Sequence, residues 1–191
     1  MKYVQMPRTA TSHTMKLLDY NFPNHKIEHS HEPLTIRPDA SELVFGSIRD
    51  PLSWYMSFWF ANSIPQLGYL YGHKERPAHF KTFMRELDAP EIRRCIDPAF
   101  EHYKGGLYSF YVEKLYKMDG DWLVTKFIRL ENYQETLEEL VGPVRAPKKL
   151  RGKIFNKSLI KDECWDFFSD EMRAKVFEQD GPIAAHFGYK P

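Results

Sequence analysis

The chain has little cysteine. Cys95 and Cys164, two among 191 residues, cannot build a disulfide framework or a cysteine-based zinc site, and they read as thiols of a reducing compartment. It also lacks a surplus of one charge: 27 Lys and Arg stand against 26 Asp and Glu, a formal net charge of +1. A globally basic nucleic-acid binder is therefore not indicated, which leaves room only for a local basic patch. No apolar run approaches the ~18 residues that span a bilayer. The opening MKYVQMPRTATSH is too short and too polar for the apolar core of a signal peptide. A soluble, cytoplasmic protein with no membrane partner is expected. There is no internal repeat and no low-complexity tract. A GxxxxGK[ST] run is absent as well, which disfavours ordinary ATP or GTP chemistry.

What is present has the balance of a folded domain, 42% hydrophobic and 28% charged. The length suits one domain, 1–191, with one core. Strands are expected at 2–6, 26–29, 42–48 and 123–130, the last two as buried runs. Leu52, Tyr55, Met56, Trp59 and Phe60 fall at i, i+3, i+4, i+7 and i+8, one apolar face of a helix. Asp50 supplies its N-cap and Pro51 its first-turn proline. Leu107, Phe110, Tyr111, Lys114 and Leu115 repeat that spacing. A helix at 132–141 is closed by Gly142-Pro143, and Ser169 opens the last one, with Asp170 and Glu171 in its first turn. Strands alternating with helices predict a three-layer α/β fold around a mainly parallel central sheet. The stretch 62–104, with its prolines, glycines and aromatics, reads as a helical insertion.

The first strand runs into Pro7-Arg8-Thr9-Ala10-Thr11-Ser12, with a helix expected from about Ser12. Such a P-loop-like strand, tight turn and helix start make an anion site: successive N–H groups face the ligand and the helix dipole favours negative charge. Thr11 and Ser12 can add hydroxyl donors, and Arg8 a planar fork for phosphate or sulfate oxygens. A capped helix with a surface arginine accounts for the same residues. A second anion site is expected where 42–48 ends in Ser47-Ile48-Arg49-Asp50-Pro51, because open α/β sheets bind ligands at the carboxyl ends of their strands. Arg49 by charge, and Ser57 two turns into the next helix by a hydrogen bond, could grip one phosphate. Alternatively Arg49 pairs with Asp50 and Ser57 is only a small helix residue.

PRTATS, then a strand ending in SIRDP with a serine eight residues after the arginine, resembles the sulfotransferase family. In that family the first motif, commonly P-K-x-G-T-T, holds the 5′-phosphosulfate of 3′-phosphoadenosine 5′-phosphosulfate, and the second, R-[ND]-P with the later serine, holds its 3′-phosphate. FIRLEN at 127–132 resembles the family's strand ending in R-L-E-N. NKS at 156–158 and the run to His186-Phe187-Gly188-Tyr189 resemble the ends of carbohydrate-type and bacterial members. The resemblance implies a donor site of Arg8, Thr9, Ala10, Thr11, Ser12, Arg49 and Ser57, with His13 against the adenine. Two departures stand out. Arg8 replaces the usual lysine, and Ala10 replaces a glycine, so the loop must avoid positive φ there or bear its cost.

Sulfuryl transfer, by analogy with phosphoryl transfer, needs alignment, cations on the moving group and a base for the acceptor hydroxyl. Histidine suits the base role. The family's carbohydrate members carry a His-x-His in this region, which points to His31 first and His29 second, with Glu32 and Glu28 as alternatives; both histidines could equally be solvated loop residues. Arg8 is the cation expected to act in catalysis. The basic run RAPKKLRGKIFNK at 145–157 reads as a lid over a polyanion, through Arg151, Gly152 and Lys153, or as a solvated charge run. Trp59, Phe60, Tyr69, Tyr71, His73, Phe80, Phe83, Tyr103 and Tyr108 line either a pocket or a core. The expected reaction moves a sulfuryl group from the donor to a hydroxyl-bearing acceptor, carbohydrate in the first place, with no metal required. A small-molecule kinase and a non-catalytic nucleotide- or glycan-binding domain are the competing readings.

Overall fold

Val44, Phe45, Gly46, Ser47 and Ile48 are all buried, as befits a strand covered on both faces. The computed structural model makes them one of the two inner strands of a parallel sheet; the structure describes residues 1–25, 27–30, 32–61, 76–147 and 166–191. The sheet joins β1 (Lys2–Val4), β2 (Glu28–Ser30), β3 (Val44–Ile48) and a later strand, β6 (Lys126–Arg129), in the order β2-β1-β3-β6. Tyr3 stands opposite His29 on one side and Phe45 on the other, and Ser47 opposite Ile128. A small antiparallel hairpin, β4 (Lys117–Met118) and β5 (Asp121–Trp122), turns at Asp119 and Gly120, both at positive φ, as a type I′ turn requires.

The described helices are α1 (Thr11–Asn21), α2 (Pro51–Ala61), α3 (Arg76–Glu86), α4 (Pro90–Ile96), α5 (Leu107–Tyr116), α6 (Tyr133–Val141) and α7 (Asp170–His186). None is long and apolar enough to cross a membrane. The mixed α/β class and the parallel sheet are as expected. The strand expected at 123–130 is shorter, because the N–H groups of Leu123 and Val124 both turn back to the Tyr116 carbonyl and close the hairpin. The strand expected at 2–6 ends at Val4, before Pro7. Within 62–104, α3 and α4 supply the expected helices; 62–75 lie outside the described residues.

The chain gathers into two units, Met1–Asp50 with Tyr111–Leu159, and Pro51–Phe110 with Ile160–Pro191. In the first, Tyr3, Leu17, Leu18, Phe45, Ile128 and Leu137 form the buried core, and the rings of Tyr3 and Phe45 stack at 5.2 Å. Burial of each such side chain contributes about 1.5–3 kcal/mol.

In the second unit, every residue from Pro51 to Trp59 is buried. The one-sided apolar face expected of α2 is thus a correction: from Pro51 to Trp59 the helix is enclosed all round, and Ser53 and Ser57, expected on a polar face, are 7% and 1% exposed. Trp54 packs on Tyr55, Phe58 and Tyr108, and Phe80 on Trp59, Phe83 and Phe168. These aromatics form a core. The amino end of α5 follows Gly105-Gly106, which offers no capping side chain. Tyr55 and Asp180 substitute. The Tyr55 hydroxyl accepts from the N–H groups of Leu107 (2.8 Å) and Tyr108 (3.3 Å), and the Asp180 carboxylate accepts from Ser109 N–H (2.8 Å) and from the Tyr55 hydroxyl (2.7 Å).

Candidate functional site

Between β1 and α1 the backbone changes hand twice. Arg8 has φ 68° and Ala10 has φ 58°, while Thr9 between them is not in the positive-φ region. Alternation of this kind turns successive N–H groups toward one side and makes a concavity for an anion. Neither residue is glycine, and the left-handed region costs a residue with a β-carbon about 1–2 kcal/mol. Of the two alternatives for Ala10, the loop takes the second and bears the cost of positive φ. Ala10 is also the N-cap of α1 and makes no side-chain hydrogen bond there, although alanine is among the poorest N-cap residues. Thr11 is half-buried and Ser12 exposed, so both hydroxyls lie in the first turn beside the loop. Arg8 is half-buried, and burial pulls its pKa down from the ordinary arginine value.

Thr9 is fully buried. Its hydroxyl donates to the Met6 carbonyl at 2.7 Å and lies 2.6 Å from Ser47 Oγ, which in turn lies 2.8 Å from Tyr3 Oη. The Thr9 side chain thus faces inward, and only its main chain remains for a ligand. Burial pushes the Tyr3 hydroxyl up to about 12. Tyr116 holds Ser47 from the other direction: its hydroxyl donates to the Ser47 carbonyl at 2.7 Å and accepts from the Ser47 N–H at 3.1 Å. Gly46 makes room for this, since a β-carbon there would sit 2.7 Å from the Tyr116 ring.

Behind the start of α1, the Thr14 hydroxyl donates to the Ala10 carbonyl at 3.1 Å and accepts from Tyr133 at 3.0 Å. His13 is 9% exposed and its ring lies 5.4 Å from that of Tyr133. Burial, helped by Lys16, lowers its pKa. A ring so enclosed presents little face to an adenine.

Arg49 is the first residue past β3, which lies beside β1 and parallel to it. It therefore emerges at the same sheet edge as the loop, and it is 7% exposed. The next N–H, of Asp50, donates to Glu131 Oε1 at 2.7 Å, and Leu130 N–H donates to the Ile48 carbonyl at 3.1 Å. The run R-L-E-N thereby ties the end of β6 to the end of β3. The carboxyl end of β2, with His29 opposite Tyr3, reaches the same edge. Ser57 belongs to the second unit. His31, Arg151, Gly152 and Lys153 lie outside the described residues.

Sequence reasoning held Ser47 and Glu131 only as members of motifs, with no role for either, and missed Tyr116 as part of this edge. One signal was present for Ser47: a hydroxyl inside the apolar run ELVFGSI must find partners when buried. Set beside models of known protein families, curated proteins and solved structures, the chain matches none of them.

Proposed function

We propose that the chain is a cytoplasmic sulfotransferase, with a P-loop-like strand, loop and helix that take the 5′-phosphosulfate of 3′-phosphoadenosine 5′-phosphosulfate. The observation that carries this reading is the loop itself. Two non-glycine residues are held left-handed, Arg8 and Ala10, in front of a helix start that has no side-chain cap. Strain of this sort persists where its surroundings impose it, and it clusters at ligand sites. Arg49 at the same sheet edge is the partner for the 3′-phosphate; the part given to Ser57 rests on the resemblance alone.

In the reaction the acceptor oxygen bonds to sulfur as the bond from sulfur to the phosphate oxygen breaks, leaving adenosine 3′,5′-bisphosphate. The acceptor proton passes to His31 or His29 beyond or within β2. Arg8 and the loop N–H groups offset charge on the departing phosphate. The described start of the basic run is tied to α1. Arg145 N–H donates to Asn21 Oδ1 at 2.7 Å, and Asn21 Nδ2 donates back to the Arg145 carbonyl at 3.0 Å, at the far end of α1.

Calorimetry with adenosine 3′,5′-bisphosphate tests the reading. It should bind more tightly than ATP with or without Mg²⁺. Arg49→Ala should weaken it at least about tenfold, as expected for a lost charge-assisted contact. Preference for Mg-ATP, or no binding of either nucleotide, overturns the assignment.

A further inference from the structure

We propose that Thr9 and Ser47 are positioning residues of the anion loop, acting through a one-way chain of hydroxyl hydrogen bonds without touching the ligand. This rests on the reading that the loop holds the 5′-phosphate end of the nucleotide. The argument begins with proton counting. A threonine hydroxyl has one proton to give, and that of Thr9 goes to the Met6 carbonyl. At its 2.6 Å contact with Ser47 Thr9 must therefore accept, so Ser47 donates. The single Ser47 proton is then used, and at the 2.8 Å contact with Tyr3 Tyr3 must donate. The order is forced: Tyr3 to Ser47, Ser47 to Thr9, Thr9 to Met6.

The chain links β1, β3 and the loop at its most strained point. Thr9 stands between Arg8 and Ala10, the two left-handed residues, and each hydroxyl in the chain is buried. Its middle member is itself held. Pairing between β1 and β3 stops at Val4 and Gly46. One residue further on, the Tyr116 hydroxyl takes both main-chain groups of Ser47. Ser47 cannot shift along its strand without breaking these bonds, and Thr9 cannot turn outward without leaving Ser47. Local strain is thus imposed by bonds behind the loop, which leaves its N–H face preset for an anion; presetting of this kind raises affinity by removing the cost of ordering.

The test uses the full chain, with adenosine 3′,5′-bisphosphate and adenosine 3′-monophosphate as probes in calorimetry and circular dichroism as the check on folding. Thr9→Val keeps the shape without the hydroxyl; Thr9→Ser keeps the hydroxyl. Thr9→Val and Ser47→Ala should each weaken the bisphosphate about tenfold, the scale of one buried hydrogen bond, and Thr9→Ser should restore most of it. The monophosphate, which lacks the group that the loop holds, should bind all variants equally. Equal loss for both probes, or Thr9→Ser as weak as Thr9→Val, would reduce these residues to general structural support. Wild-type affinity in Thr9→Val overturns positioning alone, whereas a wild-type chain that binds no bisphosphate overturns the site and the positioning with it. Should Thr9→Val not fold, Ser47→Ala decides by the same comparison.

Discussion

Ala10 carries a β-carbon at φ 58° and ψ 25°, where a glycine would sit without steric cost. Two terms of opposite sign decide what Ala10→Gly does. Relief of the left-handed strain returns about 1–2 kcal/mol, and the added freedom of glycine in the unfolded chain removes about 0.5–1 kcal/mol. The variant should therefore be as stable as the wild type or up to about 1.5 kcal/mol more so in urea unfolding. A loss of that size would mean the residue is not left-handed. The loop as an anion-site candidate was legible from its small and hydroxyl residues between a strand and a helix. The direction of the hydroxyls was not. Thr9 meets Ser47 across 38 positions of chain, Ser47 meets Tyr3 across 44 and Tyr116 across 69. Only packing brings such partners together, and no local pattern encodes which way a threonine turns.

The helices α2 and α5 could be anticipated from spacing, since an apolar repeat near 3.6 residues suits a helix and hardly any other backbone form. Their surroundings could not. Ser53 and Ser57 mark a polar face only if water lies beyond it, and α2 has none over Pro51 to Trp59. The amino end of α5 is a second case: its N–H groups are satisfied by Tyr55 and Asp180 from two other helices. Burial is the leading cause that pushes the Asp180 carboxyl up to about 6, against smaller opposing effects of its hydrogen bonds and of Arg93. An unfolded aspartate titrates near 3.9, so between about pH 4 and pH 6 the folded chain holds a proton that the unfolded chain has lost. Stability should thus be full below about pH 4, fall by about 3 kcal/mol as pH rises to about 6, and level off above. Unfolding free energies measured across this range should show the decline in the wild type and a flatter profile in Asp180→Asn. Parallel profiles would contradict the burial of an ionisable group there.

Across the whole chain, the α/β class was legible from alternating strands and helices. The division into two units was not, because each takes two separate stretches of sequence and no linker-like composition marks the joins. Charge behaves differently at this scale from its behaviour at the loop. With a net charge of +1 the chain has little field beyond its own basic patches, so duplex DNA should not be held at about 0.15 M salt. Anisotropy of a short labelled duplex should stay flat over protein concentrations that saturate with the bisphosphate; a rise would point to a polyanion surface instead of a nucleotide pocket. The order of protons behind the loop has a last consequence for the chemistry. Reversing it would leave the buried Met6 carbonyl without the Thr9 proton that it accepts. The chain ends on a carbonyl that passes no proton onward, so the three hydroxyls form a strut and not a wire, and in the proposed transfer the base for the acceptor would stand on the open side of the sheet edge.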